Sequence, residues 1–481
     1  VARNFVSLLE ASADRSPDTP ALVWPDGALT FAELHRRAEA LATALAAKGV
    51  RPGDRIAVTI PNRRQFAVAL LAGWKLGATI APLDPLLKID ERAEILADLA
   101  PAVLVDEAAV TEVETGPAET RRSPHGPGGA DPDPRSPALI LYTSGSTGRP
   151  KGAVLSHEAL AFANESWAGP VMALTPDDVV LAVLPLAHAY GLNGALLAPL
   201  LAGASVALVE RFTPEAALEA IRRHRATVFP GVATMFRRLL DSPALARADL
   251  SSVRLAVSGA APCPWELAQE WRERTGIRIL RGYGMSELFR PISYLAADPT
   301  ELPAAIGRPV PGVEVRVVND SGRPLPSGEV GELWIKSPAA MQSYINSPEE
   351  SREVLTEEGW FRTGDLAAVS RDGWVEIVGR KRERILRGGY SVFPQEVEAL
   401  LLTHPAVAEA AVVGVPHPEL GEEVAAFVAL RRSAGATADE LIAYCRDRLA
   451  GFKYPRQVTI LPALPRSTTG KILKSSLPAS R

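Results

Sequence analysis

From Thr30 to Leu280, short apolar runs alternate with segments of helical period, and that alternation leaves few folds open to the chain. Thr30-Phe-Ala-Glu-Leu places a Thr three residues before Glu33, the pattern of a capping box. Leu34, Ala38, Leu41, Ala42 and Leu45 then recur on one helical face, and Gly49 is placed to end it. Arg55-Ile-Ala-Val-Thr-Ile reads as a buried strand, 66–76 as helix, Thr79-Ile-Ala-Pro-Leu as strand, 91–99 as helix and Val103-Leu-Val as strand. Further strands are expected at 179–184, 205–209, 227–229, 253–258 and 278–280. Strands separated by helices form parallel sheets with helices on their faces.

The rhythm breaks twice. A Pro/Gly-rich stretch at 116–137, with His125-Gly-Pro-Gly-Gly-Ala-Asp-Pro-Asp-Pro at its centre, cannot hold regular structure and reads as a surface connection. After Gly307 the texture changes to short alternating strands, Val313-Glu-Val-Arg-Val-Val, Gly331-Glu-Leu-Trp-Ile and Gly373-Trp-Val-Glu-Ile-Val, which predict a mainly antiparallel, barrel-like piece. Mixed α/β character returns near the end, with helices expected at 395–402 and 438–449 and strands at 407–415 and 423–430. A chain of 481 residues is too long for one ordinary core and predicts more than one domain.

Composition excludes several classes. A net charge of −4 argues against a nucleic-acid partner, whose binding domain is normally strongly basic. Two cysteines, Cys263 and Cys445, rule out a disulfide framework and a cysteine-built zinc site. No apolar run approaches the length needed to span a bilayer, and the first residues lack the layout of a signal peptide, so a reducing cytoplasm is the expected setting.

The most informative run is Leu141-Tyr-Thr-Ser-Gly-Ser-Thr-Gly-Arg-Pro-Lys-Gly, directly after the apolar Ala138-Leu-Ile. Gly145 and Gly148 permit a tight turn in which backbone N–H groups converge on phosphate oxygens. Thr143, Ser144, Ser146 and Thr147 add hydroxyls, and Lys151 adds a positive charge. The standard P-loop pattern fails because Pro150 stands where its second Gly belongs, and the nucleophile-elbow pattern fails because Ser144 replaces its first Gly. The plain alternative is a flexible Ser/Gly turn.

With this run, further blocks stand in order along nearly the whole chain: Leu184-Pro-Leu-Ala-His-Ala-Tyr-Gly, Ser258-Gly-Ala-Ala-Pro, Gly282-Tyr-Gly-Met-Ser-Glu, Gly331-Glu-Leu, Trp360-Phe-Arg-Thr-Gly-Asp-Leu, Gly379-Arg and Pro465-Arg-Ser-Thr-Thr-Gly-Lys-Ile. Together they resemble the adenylate-forming superfamily of acyl-CoA synthetases, luciferases and adenylation domains, closest in pattern to aryl- and fatty-acyl-CoA ligases. The resemblance implies an α/β fold with a large N-terminal domain, 1–380, made of two α/β sheets plus a β-barrel. It implies a small, mobile α+β C-terminal domain, 381–481. It also implies ATP, Mg²⁺ and coenzyme A as cofactors.

The resemblance assigns roles residue by residue. Thr143, Ser144, Gly145, Ser146, Thr147, Gly148 and Lys151 would hold the β- and γ-phosphates. Glu287, with Thr143, would hold Mg²⁺, a hard cation that prefers oxygen ligands; the plain alternative for Glu287 is a carboxylate at a helix start. Ser286 would serve the α-phosphate. Tyr283, with Gly282, Gly284 and Met285, would lie against adenine, and Gly259, Ala260, Ala261 and Pro262 would form the opposite wall. Asp365 would accept from the ribose hydroxyls, supported by Arg380. Lys471 would bridge the substrate carboxylate and the α-phosphate. Arg382 marks the hinge about which the C-terminal domain turns between half-reactions. Gly388 and Gly389, followed by Ser391, would face the thiol tunnel.

The acyl pocket is expected around Tyr190, Val232, Ala260 and Met285, with Met235 more fitted to core packing. No carboxylate lies between Leu184 and Leu208, which argues against an α-amino acid as substrate. His188 is placed either at the meeting point of carboxylate, thiol and pocket or as a satisfied core residue. Arg290 is expected at the surface, with the alternative that it reaches the pocket and anchors a distal carboxylate or hydroxyl. The function expected is ATP-dependent conversion of an aryl or medium- to long-chain carboxylic acid to its acyl-CoA through an acyl-adenylate. A stand-alone enzyme loading a carrier-protein thiol is the alternative.

Overall fold

Thr30 caps the helix Phe31–Ala47 through both halves of a capping box: its hydroxyl accepts from the Glu33 N–H, and the Glu33 carboxylate accepts from the Thr30 N–H. Leu34, Ala38, Leu41, Ala42 and Leu45 are all buried. The computed structural model describes residues 3–115, 133–144, 150–298, 302–388, 390–431, 434–466 and 472–477. Most of the Pro/Gly-rich stretch therefore lies outside the described residues.

The chain divides into two compact units, one of residues 1–314 with 335–361 and the other of 315–334 with 362–481. In the first, the strands Arg55–Thr59, Thr79–Pro82, Val103–Asp106 and Pro137–Ser144 run parallel in a six-stranded sheet, with Val103–Asp106 at its edge. A seven-stranded sheet holds the strands Val179–Ala182, Ser205–Leu208, Val228–Gly231, Leu255–Ser258 and Ile279–Leu280, again parallel. The expected strands thus stand where the apolar runs placed them. Phe229, Phe236 and Trp271 cluster against the seven-stranded sheet, with ring centroids 5.1 Å apart for Phe236 and each of its two neighbours. Met235 packs against this core, the placement expected for it over a pocket role.

The second unit contains the paired stretches 365–369 and 375–380 of the antiparallel strands Phe361–Val369 and Val375–Arg380. It also contains a five-stranded sheet built on the long hairpin Val407–His417 and Gly421–Leu430. The helices Pro394–Leu402 and Ala438–Arg446 cover it, burying Val397, Leu401, Leu441 and Cys445. Among the described residues, no helix is long and apolar enough to cross a membrane.

Candidate active site

In open α/β sheets, ligands are bound beyond the carboxyl ends of the strands. The site blocks gather at those ends in the first unit. Ile80 pairs in register with Leu139, so the chain leaving Thr79–Pro82 emerges beside the end of Pro137–Ser144. The phosphate-binding run is not a strand–loop–helix. Pro137–Ser144 pairs antiparallel with Pro150–Ser156, Thr143 opposite Lys151, so Pro150-Lys-Gly begins a second strand. Gly145, Ser146, Thr147 and Gly148 lie outside the described residues, as does the Ser144 side chain.

The register fixes Lys151, whose ammonium lies 2.8 Å from Glu350 and 5.6 Å from the centroid of the Tyr344 ring. The Tyr344 hydroxyl in turn donates to Glu287 Oε1 at 2.7 Å. Burial, with the nearby Glu287 and Glu350 carboxylates, pushes the Tyr344 phenol far above its ordinary range, so it remains a neutral donor. Lys151, Tyr344 and Glu287 thus form one connected set that ties the phosphate-loop hairpin to the proposed metal ligand. Tyr344 and Glu350 belong to none of the sequence blocks; Tyr344 reaches the site because the short strand Ser343–Tyr344 pairs with Pro150–Ser156.

Glu287 does not start a helix. It sits in the turn of the antiparallel hairpin Gly282–Met285 and Phe289–Ser293. That turn requires glycine at 284, where an added Cβ would come within 2.0 Å of the Phe289 carbonyl oxygen. Glu287 is buried, while Ser286, Tyr283 and Met285 are partly exposed beside it. Ala260, Ala261 and Pro262 lie just beyond the strand Leu255–Ser258, with Ala260 and Ala261 exposed and Ala260 held at φ +63°.

Arg290 is a correction: it is buried, not at the surface. Its guanidinium donates to the Ser258 carbonyl at 3.0 Å, the Leu280 carbonyl at 3.3 Å and Ser293 Oγ at 2.9 Å, and lies 4.9 Å from the Trp167 ring centroid. It presses on the backbone of Gly282, where a Cβ would approach it to 2.3 Å, and of Gly259, to 2.9 Å. Burial pushes its pKa down to about 10. Two glycine motifs therefore meet over a guanidinium placed by a third segment. The charge density that made Arg290 look exposed is met by carbonyls and a π-face.

Tyr190 stacks on Trp167 with centroids 5.5 Å apart, and its hydroxyl donates to the Val257 carbonyl at 2.7 Å and the Gly231 carbonyl at 3.2 Å. The ring therefore spans the carboxyl ends of two neighbouring strands. Burial raises its phenol well above the ordinary value. Gly191 is needed behind it, since a Cβ there would meet the Pro185 carbonyl oxygen at 2.2 Å. Val232 is partly buried directly after the strand Val228–Gly231.

His188 is not a core residue: its side chain is partly exposed. Its Nε2 stands 2.9 Å from Asp84 Oδ2, and Asp84 is buried. That bond, with the Leu86 N–H, holds the Asp84 carboxyl below the usual carboxylate range against the opposing effect of burial. Asn62 fixes the same loop: Nδ2 donates to the Leu184 carbonyl at 2.7 Å and Oδ1 accepts from the Leu186 N–H at 2.9 Å. Asp84 and Asn62 follow strands of the other sheet, so only the fold brings them to His188.

In the second unit Asp365 and Arg380 are register partners, with Arg380 Nε 3.2 Å from Asp365 Oδ1. The Asp365 N–H donates to Thr363 Oγ1, itself bonded to the Leu333 carbonyl. Arg382 is exposed in the short 3₁₀ turn Lys381–Glu383. Gly388 adopts φ +54° in the turn between Ile385–Arg387 and Tyr390–Val392. Lys471 and Gly389 lie outside the described residues, as does the side chain of Ser391.

Comparison with known proteins supplies the family. Residues 9–345 match the AMP-binding enzyme model, and residues 396–471 match the AMP-binding enzyme C-terminal domain. A feruloyl-CoA synthase of Amycolatopsis is 39% identical over 97% of this chain and 96% of its own length. A sulfoacetate–CoA ligase of Cupriavidus necator is 35% identical over 98% and 97%. ATP-bound MatB from Rhodopseudomonas palustris superposes with a TM-score of 0.89 at 32% identity, over 98% of both chains. The named ligases are CoA ligases, which does not favour a carrier protein as acceptor. The chain belongs to the AMP-binding enzymes of the adenylate-forming superfamily, as an AMP-forming acyl-CoA synthetase that uses ATP, Mg²⁺ and CoA.

Proposed function

We propose that the acid activated by this enzyme is aromatic and compact, without an α-ammonium group. The observation that carries this reading is Tyr190, whose ring bridges the Gly231 and Val257 carbonyls and stacks on Trp167. A flat ring closing the pocket favours another flat ring over a long alkyl chain. A substrate ammonium would find no free carboxylate in Asp84, which is already paired with His188. The feruloyl-CoA synthase relative supports the same class.

Joining a carboxylate to a triphosphate sets negative charge against negative charge, so the chain must position reactants and neutralise charge. Thr143, Ser144 and the backbone of 145–148 would cradle the β- and γ-phosphates, with Lys151 held in place by Glu350 and Tyr344. Ser286 would orient the α-phosphate. Glu287 fits Mg²⁺: it is a buried oxygen donor oriented by Tyr344. Among the described residues there is no group of three potential ligands, so one carboxylate would share the ion with substrate phosphates. The ion, when bound, neutralises phosphate charge. Asp365, aligned by Arg380, would accept from the ribose hydroxyls, and Lys471 would bridge carboxylate and α-phosphate. The working division falls at 380/381, with Arg382 as hinge, Gly388 and Gly389 beside the thiol path, and His188 near the point where acid and thiol meet.

Acid-dependent exchange of pyrophosphate into ATP tests the reading. Benzoate- and cinnamate-type acids should support exchange well above alkyl acids or α-amino acids, and CoA should accept the acyl group. Better exchange with a long alkyl acid or an amino acid would overturn it.

A further inference from the structure

Asp84 belongs to no motif, yet it is a buried carboxylate aimed at a partly exposed imidazole of the site. Its Oδ1 accepts from the Leu86 N–H at 2.8 Å, and its Oδ2 meets His188 Nε2 at 2.9 Å. The Asp84 side chain is 7% exposed and that of His188 is 35% exposed, so the carboxylate is sealed while the imidazole remains reachable. Among the described residues, Asp84 is the charged group in contact with this ring.

We propose that Asp84 is a positioning residue for thiol transfer, acting through His188; the proposal rests on the placement of His188 given above. An ionised carboxylate only accepts hydrogen bonds, so Nε2 must carry the proton that points at Asp84. In the neutral ring this leaves Nδ1 with its lone pair, on a ring anchored at its other nitrogen. A fixed tautomer with one basic nitrogen is the arrangement by which a buried Asp prepares a His for proton transfer. The CoA thiol gives its proton to Nδ1 as sulfur attacks the acyl carbonyl carbon. The acyl–oxygen bond to AMP then breaks, its electron pair leaving on the AMP phosphate, and the imidazolium returns its proton to solvent. Two sheets supply the pair: Asp84 follows Thr79–Pro82 of one, and His188 follows Val179–Ala182 of the other. Asn62, which follows a strand of the same sheet as Asp84, fixes the loop that leads to His188.

The test separates the half-reactions in the full-length enzyme, using whichever acid supports exchange. Asp84→Asn should leave pyrophosphate exchange within about twofold and lower single-turnover thioester formation from pre-formed acyl-adenylate by about tenfold or more. The pH profile of thiol transfer should shift. Asp84→Glu should recover part of the rate, and His188→Ala combined with Asp84→Asn should fall no further than His188→Ala alone. Unchanged thiol transfer and pH profile in Asp84→Asn would overturn the proposal. So would equal losses in both half-reactions, the mark of a merely structural contact. A different preferred acid would overturn only the substrate reading, since the Asp84 comparison is made with that acid.

Discussion

The Tyr344 hydroxyl donates to Glu287 Oε1 at 2.7 Å, both side chains are buried, and Tyr344 also lies beneath the Lys151 ammonium. One phenol thus couples the proposed metal ligand to the hairpin that carries the phosphate-binding run. Removing the hydroxyl leaves the Glu287 carboxylate buried with one donor fewer. A hydrogen bond to a charged group is worth about 1.5–3 kcal/mol. Tyr344→Phe should therefore lower acid-dependent pyrophosphate exchange by about ten- to a hundredfold and alter its Mg²⁺ dependence. A variant with normal exchange at every Mg²⁺ concentration would remove Glu287 from the metal's ligands.

Arg382 is exposed, so its replacement should not disturb packing. Proline fixes φ and blocks a backbone rotation at that point. Arg382→Pro should keep pyrophosphate exchange and lose thioester formation. Equal thioester rates in the variant and the unsubstituted enzyme would place the hinge elsewhere.

The fold was legible where pattern and chemistry were local. Thr30, Glu33 and Gly49 bound a helix whose apolar face is visible in the spacing of Leu34, Ala38, Leu41 and Leu45, and the parallel strands announce themselves as apolar runs. The site blocks were legible as blocks. The partners that orient them were not: Tyr344 for Glu287, Asp84 for His188 and Trp167 for Tyr190 are each far away in sequence. The second strand of the phosphate-loop hairpin was missed because both its faces are largely buried, which erases the alternation that marks a strand. Arg290 was misplaced because a lone Arg has no sequence signal for burial; what buries it is the convergence of Gly259, Gly282 and Trp167.

Asp178 gives a stability prediction with a definite sign. Burial raises its pKa, but Arg254, Thr227 and the Thr175 N–H outweigh burial and hold it below the ordinary value. Arg254 reaches both carboxylate oxygens at 2.9 Å. A carboxyl depressed on folding stabilises the protein above its unfolded pKa of about 3.9, and that contribution is lost as pH falls through the folded pKa. Asp178→Asn should cost about 2 kcal/mol at neutral pH, discounted for the partial exposure of Arg254, and the gap should close below about pH 4. Urea unfolding at neutral and acid pH measures it; a gap independent of pH would assign the loss to packing.

Lys471→Ala should abolish adenylate formation, a loss of several kcal/mol of transition-state stabilisation. Thiol transfer from supplied acyl-adenylate should be much less affected, because the carboxylate and α-phosphate no longer have to be drawn together. Rapid mixing of the variant with pre-formed acyl-adenylate and CoA measures this directly. Equal loss in both half-reactions would refute the assignment.

Tyr190 separates anchoring from shape. Tyr190→Phe removes the donor to the Gly231 and Val257 carbonyls while keeping the ring on Trp167. It should reduce stability by about 1–2 kcal/mol, seen as a lower melting temperature, and leave the ranking of acids unchanged. Tyr190→Ala removes the ring as well and opens space against Gly259, where an added Cβ would lie 3.4 Å from the Tyr190 ring. A deeper pocket should move preference toward longer acids, changing relative kcat/KM among acids while the KM for ATP stays close to its original value. The comparison is informative because both variants lose the hydroxyl and only one loses the wall. If Phe and Ala shift the acid ranking alike, the hydroxyl and not the ring sets specificity, and the aromatic reading of the pocket fails.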